Sequence, residues 1–490
     1  MDNSRNTILS NVIWKFAERI LAQMVSLVVS IVLARLLLPE DYGAISMVMV
    51  FITIANVFVA EGIPSALIQK KDADQLDFSS VFHFNLWVSF AIYAILFVAA
   101  PFIARFYNDE ILSRVLRVLG LRIIVAAINS VQHAYVSRHM MFKKYFWSTL
   151  FGTLLSGVVG IWMAYRGYGV WALVAQYMTN TTVDTVVLFI TVNWKPRLLF
   201  NFERIRSLLS FGWKMLFEGV ANAISGQIRN LIIGKVYSSS DLAFYTKGQQ
   251  FPSVIVTNIT TSIGSVLFPA MANEQDDKER VLSMLRKSVK VSSYVVYPML
   301  VGLAAIATPF IRLLLTDKWI ETVPYLQAFC ILNMPTVGMI PRHQALNGTG
   351  RSDVFMYEHV IARIVSFILL FLTYKISVLA IVLSSFASSG VLCLIIAYTS
   401  KRFNGYKYRD QLKDILPIIV GCFIMAIPVY CIQLIGLSSL LTIIIDVIIG
   451  VIIYLLFSKL VNLEEYQICK QYGSLLKDKF KRRQQIDSSK

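Results

Sequence analysis

The sequence predicts an all-α polytopic membrane protein of about fourteen transmembrane helices, and three observations carry that expectation. Hydrophobic residues make up 56% of the 490-residue chain and charged residues only 15%, a balance that no soluble domain of this size could hold without large exposed apolar patches. Apolar runs recur along the chain at close to the ~20 residues a helix needs to cross about 30 Å of hydrocarbon. Backbone in lipid must satisfy its own hydrogen bonds, which selects helices here because the alternating pattern of a membrane barrel is missing. The lysines and arginines fall between these runs and concentrate in every second loop.

Hydropathy places the spans at 10–35, 43–67, 81–104, 115–137, 146–165, 168–192, 209–235, 246–271, 289–314, 323–346, 354–374, 377–399, 413–435 and 438–458. The fourth, seventh and eighth are diluted by charged or hydroxyl residues. The first is expected to remain in the mature chain, because Lys15, Glu18 and Arg19 interrupt the place where the apolar core of a cleavable signal would lie. One set of loops carries Lys70-Lys71, then Arg138 with Lys143-Lys144, then Lys195, Arg197, Arg204 and Arg206, then Lys278, Arg280, Arg286 and Lys287, then Arg351, then Lys401, Arg402, Lys407, Arg409 and Lys413. The opposite loops, such as Arg166–Gly169 and Gly436–Ser439, are short and poor in charge. By the positive-inside rule the basic loops and both termini are expected to be cytoplasmic.

The net charge of +17 is dispersed among these loops and forms neither a basic face nor an arm interleaved with aromatics, so a nucleic-acid partner is not expected. The segment from residue 461, with KDKFKRR near its end, reads as a cytoplasmic tail suited to lipid headgroups. Cys330, Cys393, Cys422, Cys431 and Cys469 are scattered and read as free thiols.

One passage is written twice. Residues 33–51 read LARLLLPEDYGAISMVMVF and residues 233–251 read IGKVYSSSDLAFYTKGQQF, so that Arg35 aligns with Lys235, Asp41 with Asp241 and Phe51 with Phe251. Each passage joins the exit of one helix to the entry of the next on the outer face, and six helices separate them. An even number implies parallel repeats related by an axis along the membrane normal. The expected organisation is an N-lobe of helices 1–6 (1–200), a C-lobe of helices 7–12 (201–400), two appended helices (401–460) and the basic tail (461–490). The motif chemistry is a cation at a helix end, an acidic or hydroxyl turn and an aromatic at headgroup depth. It reads as a turn and cap before it reads as a ligand site.

Ionisable residues inside the spans cost on the order of 2.5–3.5 kcal/mol each on insertion scales and need a reason. Arg363 lies near the centre of helix eleven, out of easy reach of either interface. Lys214 and Glu218 share a face of helix seven, and Arg229, eleven residues on, returns to nearly the same face. Arg122 lies in helix four and Arg342 at the break MIPRHQ in helix ten. Lys15, Glu18 and Arg19 lie close enough to the cytoplasmic interface to snorkel. Cations outnumber anions, which points to a hydrated central cavity with a positive interior and an anionic guest. Guanidinium groups match phosphate bidentately, and a diphosphate engages several at once. Internal pairing, of Lys214 with Glu218 above all, is the alternative. Glu61 in VAEGIP, Asp184, Glu218 and Glu18 are candidates to bind a coupling proton or sodium ion, as is Asp446 by its depth. Glu61 stands out because the following glycine and proline suggest a hinge.

No cofactor and no metal site are expected, since the chain has no P-loop, HExxH or GxSxG and its five histidines show no ligand spacing. DAD at 72–74 reads as a solvated loop, and NGTG at 347–350 as a helix-ending turn.

The opening segment SNVIWKFAERILAQMVSLVVSIVLARLLLPEDYGAIS, with its L-P-E-D-Y-G turn, resembles that of bacterial polysaccharide transporters, the lipid-linked oligosaccharide flippases for O-antigen, exopolysaccharide and teichuronic acid precursors. That family belongs to the superfamily holding the multidrug exporters and the peptidoglycan-precursor flippase. The resemblance implies a non-enzymatic inner-membrane flippase that carries undecaprenyl-diphosphate-linked repeat units to the periplasmic leaflet. It also implies two rocking six-helix lobes and, as partners, membrane lipids, a polysaccharide polymerase and a chain-length regulator. Arg363, Lys214, Arg122, Arg229, Arg342, Lys15 and Arg19 are assigned to its cationic cavity by burial and phase. Two alternatives are a cation-coupled multidrug exporter of the same fold, whose cargo a positive cavity would repel, and a membrane-embedded glycan polymerase or ligase, which would need a long outer loop.

Overall fold

Helix starts in this chain are fixed by caps that hydropathy does not register. In the computed structural model the described residues are 21–471 without Leu434 and Cys469, and without the side chains of Phe211 and Ser352. Lys15, Glu18, Arg19 and the basic tail lie outside them. In chain order the helices are α1 (Leu21–Leu36), α2 (Pro39–Ala60), α3 (Ile63–Gln69), α4 (Gln75–Tyr107), α5 (Ile111–Arg138), α6 (Phe142–Tyr165), α7 (Val170–Thr191), α8 (Phe202–Val236), α9 (Ser239–Asn273), α10 (Lys278–Ala305), α11 (Ala307–Leu315), α12 (Val323–Gly348), α13 (Ser352–Thr373), α14 (Val378–Asn404), α15 (Tyr408–Gln433) and α16 (Ser439–Leu460). No strand occurs among the described residues.

Several starts lie one to three turns before the hydropathy boundary, because their first turns are polar and held by side-chain caps. Asp74 accepts from the Asp77 amide at 2.9 Å, Asn201 from Arg204 at 3.2 Å and Asp277 from Arg280 at 3.0 Å. The amide of Asp77 holds the Asp74 carboxyl below the usual aspartate range. A depressed carboxyl stabilises fully above its unfolded-state range, and this cap's contribution is lost as pH falls through the lowered value.

Two expected spans are each divided. The span at 43–67 breaks where Gly62 takes φ +73°, separating α2 from α3, a conformation that suits a residue without Cβ. The span at 289–314 breaks after Ala305, with α11 resuming at Ala307. Ten helices of the described residues are long and apolar enough to cross a membrane. Helices α5, α7 and α8, of 28, 22 and 35 residues, are not among these ten.

The chain divides into two units, Met1–Ala243 and Phe244–Lys490. In the first, α5 packs against α2, α4 and α7, α6 against α7, and α8 against α2, α3 and α4. Its core includes Leu67, Phe78, Val131, Leu188 and Trp194. In the second, α10 packs against α12 and α15, α13 against α14, and α15 against α16. Its core joins Met271, Leu285, Val289, Ala345 and Tyr406.

The repeated passage is a repeated cap. Asp41 Oδ2 accepts from the Leu38 amide at 3.1 Å, and Asp241 Oδ2 accepts from the Ser238 amide at 3.1 Å and from its hydroxyl at 2.6 Å. The two turns touch: Ser240 Oγ donates to Glu40 Oε1 at 2.7 Å, and Gly43 lies against the Ser239 backbone so closely that a Cβ there would overlap the carbonyl. Gly43→Ala should therefore lower stability by about 1–3 kcal/mol. Gly226→Ala, on the same unit with nothing near its missing Cβ, should hold or raise it. Thermal unfolding in one detergent compares the two.

Candidate functional site

The ionisable residues singled out from the sequence lie on or at the end of α2, α5, α7 and α8 in the first unit and on α12, α13 and α16 in the second. At the α2–α3 break, Glu61 is exposed and ends α2, and its carboxylate reaches Gly219 of α8. Gly62 packs on Gly212 and Leu216 of the same helix. The break thus lies beside the stretch of α8 that carries Lys214 and Glu218. Both of those side chains are exposed, and they form no ion pair with each other. Arg229 lies farther along α8, half-buried.

Within the first unit Arg122 of α5 is half-buried and donates from Nε to Thr181 Oγ1 of α7 at 2.7 Å, with its guanidinium 5.5 Å from the Tyr177 ring. Nearer the other end of the same two helices, Asp184 Oδ2 accepts from Asn129 Nδ2 at 2.5 Å and stands 3.1 Å from His133 Nε2. Asp184 Oδ1 is buried without a hydrogen-bond partner. The structure therefore places Asp184 in a hydrogen-bonded cluster with a histidine that spacing alone did not single out.

In the second unit Arg342 is buried at 6% exposure, with its guanidinium 5.7 Å from the Tyr406 ring. Arg363 is half-buried on α13, one turn beyond His359. Its sequence-nearest acid, Glu358, is turned to other groups: Oε1 accepts from the Thr399 hydroxyl, and Oε2 lies 3.5 Å from His343 Nε2. Asp446 of α16 is 1% exposed, neither oxygen has a hydrogen-bond partner, and it lines an apolar cavity of about 440 Å³ with Met299, Leu303, Met425 and Tyr454.

The charged groups that sequence reading missed have structural roles or sit beside aromatic rings. Asp77, fully buried at the start of α4, binds Lys70 at 2.6 Å and faces Arg204 at 3.4 Å. Asp414 takes both Arg286 donors at 2.8 and 2.9 Å and the Tyr406 hydroxyl at 2.8 Å. Burial, with Asp414 as acceptor, pushes the Tyr406 hydroxyl pKa well up. Lys290 bonds Glu464 at 2.6 Å, which holds that exposed carboxyl below the usual range. Lys247 of α9 is 5% exposed, 3.2 Å from Gln250 Oε1 and 6.0 Å from the Trp319 ring. Among the described residues no group of three or more His, Cys, Asp or Glu could hold a metal ion.

A family model described as "Polysaccharide biosynthesis protein" matches residues 32–324. The chain belongs to this polysaccharide biosynthesis protein family. Among relatives, the family member is 26% identical over 434 residues to the succinoglycan biosynthesis transport protein ExoT of Rhizobium meliloti, covering 88% of this chain and 85% of that one. It is 24% identical to the teichuronic acid biosynthesis protein TuaB of Bacillus subtilis (62% of this chain, 63% of that one). It is 22% identical to the lipopolysaccharide biosynthesis protein WzxC of Escherichia coli (67% and 68%). Among solved structures, the lipid II flippase MurJ in an inward closed conformation aligns with TM-score 0.73 at 15% identity, over 92% of this chain and 98% of that one. An inward-facing multidrug resistance MATE family transporter of the MOP superfamily aligns with TM-score 0.61 at 12% identity, over 78% and 94%. These structural likenesses establish the fold. The resemblance read from the L-P-E-D-Y-G segment is borne out at the level of the family. With ten apolar helices of membrane-spanning length among its described residues, this family member is a multi-pass membrane protein.

Proposed function

We propose that this chain is a flippase that moves undecaprenyl-diphosphate-linked oligosaccharide repeat units from the cytoplasmic to the periplasmic leaflet, by alternating access, for surface polysaccharide biosynthesis. The family match over residues 32–324, carried on a fold like that of a lipid II flippase, is the observation that bears this reading. Two six-helix lobes, 1–200 and 201–400, would rock about the substrate, with helices in 401–460 appended and both termini in the cytoplasm of a cell whose inner membrane holds the protein.

The physical problem is to bring a multiply charged diphosphate through a medium where one bare charge costs several kcal/mol. Arg363, Lys214, Arg122, Arg229 and Arg342, with Lys15 and Arg19, supply the compensating cations. Arginine engages a phosphate through two parallel N–H donors and lysine as a point charge, so a diphosphate replaces water with several charge-assisted hydrogen bonds. The polyprenyl tail stays in lipid, where moving it costs little. The coupling ion is a proton or sodium ion, held by acids among Glu61, Glu218, Asp184 and Glu18. A polysaccharide polymerase and a chain-length regulator act on the delivered product.

Reconstitution tests this reading. Proteoliposomes containing the full chain should expose a lipid-linked oligosaccharide from native membranes to an impermeant glycosidase faster than protein-free liposomes do. Equal rates in the two preparations would contradict it.

A further inference from the structure

The internal repeat continues beyond the twice-written passage, at an offset that changes from 200 to 210 residues. At 210, α6 and α13 begin at matched positions, Phe142 and Ser352. Two residues before each start, Met140 (φ +52°) and Gly350 (φ +75°) share the left-handed conformation. The same offset aligns His133 of α5 with His343 of α12. It also aligns Tyr145 with Phe355, each the aromatic that lies against its histidine, at 4.5 and 4.8 Å between ring centroids.

Each histidine faces a carboxylate, and the carboxylates come from different helices. His133 Nε2 lies 3.1 Å from Asp184 of α7. His343 Nε2 lies 3.5 Å from Glu358 of α13. Ser148, fully buried, occupies the place in the first repeat that Glu358 takes in the second. Both repeats thus arrive at a histidine–carboxylate pair by separate routes, half-buried in the first and more deeply buried in the second. In the second unit Glu358 is 1% exposed, and its Oε2, like Nε2 of His343 and of His359, is buried with no hydrogen bond. A carboxylate and two imidazoles left in this condition can accept a proton without first breaking a hydrogen bond.

We propose that His133–Asp184 and His343–Glu358 are repeat-related proton-binding sites through which a proton gradient drives transport; this rests on the flippase reading above. Taking up one proton at an imidazole converts a site from one net negative charge to a neutral ion pair, and releasing it restores the charge, so each cycle carries a proton with no other reactant. The surrounding groups are consistent with such a switch. Around the first pair lie Asn129 of α5, Tyr145 and Ser148 of α6, and, along α5 and α7, Arg122 held by Thr181 and Tyr177. His83 of the adjacent α4 is turned to its own Ser79 carbonyl. Around the second lie His359 and Arg363 of α13, Thr399 of α14, and Arg342, which faces Tyr406, Tyr297 of α10 and Cys393 of α14.

The test uses inside-out membrane vesicles containing the full chain and an undecaprenyl-diphosphate-linked oligosaccharide isolated from the host. Flipping is timed with and without an imposed gradient of one pH unit, which is worth about tenfold per proton. Wild type should accelerate about tenfold under the gradient. The H133Q/H343Q variant should lose that acceleration and keep the gradient-free rate. Glu358→Gln alone should reduce the acceleration at least about threefold, and Glu358→Asp should restore most of it. Acceleration by the double variant or by E358Q equal to wild type overturns the proposal, as does a wild-type rate that ignores the gradient; in either case the flippase reading stands. A wild type that flips nothing under either condition overturns that reading and this proposal with it.

Discussion

Arg363→Ala is expected to reduce glycan export at least about tenfold, and up to the limit of detection, while the protein remains inserted. The magnitude follows from losing one charge-assisted hydrogen-bonded contact, about 1.5–3 kcal/mol. The sign of the insertion effect makes the result interpretable. Removing a guanidinium from the middle of α13 relieves about 2.5–3.5 kcal/mol of insertion cost, so lost export cannot be blamed on a failure to enter the membrane. Arg363→Lys should retain part of the activity, because the charge survives and the bidentate geometry does not. Surface glycan is measured in cells alongside membrane-inserted protein. Normal export by the alanine variant would remove Arg363 from the substrate path.

Asp77→Ala should be the most damaging single change to stability. Asp77 is fully buried, yet its carboxylate carries Lys70 at 2.6 Å, Arg204 at 3.4 Å and the Asp74 amide at 3.1 Å. It ties the end of α3, the start of α4 and the start of α8 together. Deleting it leaves the partly exposed Lys70 and Arg204 without their shared acid and the Asp74 amide without its acceptor, and each charge-assisted hydrogen bond lost costs about 1.5–3 kcal/mol before solvent screening is allowed for. Thermal unfolding of purified protein should show a lowered, and in some detergents absent, cooperative transition. Asp353→Ala should have little effect, because the Arg351–Asp353 bridge is exposed on both sides and solvent screens such pairs. Equal stabilities of D77A and D353A would contradict this account of the α3–α4 junction.

The fold was legible because hydropathy is additive along a helix and lipid admits few other solutions. Hydropathy does not register polar helix outside the hydrocarbon, so the first turns of α4, α8 and α10, held by their Asp and Asn caps, lie before the hydropathy boundaries. The break at Gly62 was legible from the VAEGIP stretch, because glycine and proline act locally. The paired groups were not. His133 meets Asp184 across 51 residues, and His343 meets Glu358 across a helix turn-around, so sequence spacing carries no trace of either pair. The available signal was the repeat, and comparison at the 200-residue offset of the twice-written passage fails where the offset has grown to 210. Asp77 and Asp414 stand among the polar residues of helix starts, where nothing in the sequence marks enclosure, and it is packing that buries them.

The most direct test of flipping itself is to deplete this protein in its native cell and determine which leaflet gathers the lipid-linked oligosaccharide, using an impermeant glycan-oxidising reagent on intact spheroplasts. The account predicts accumulation that the reagent cannot reach until the membrane is opened, because the substrate waits on the cytoplasmic side. Accumulation that is labelled at once from outside would contradict it, and would instead place the protein after translocation, where a polymerase or ligase acts.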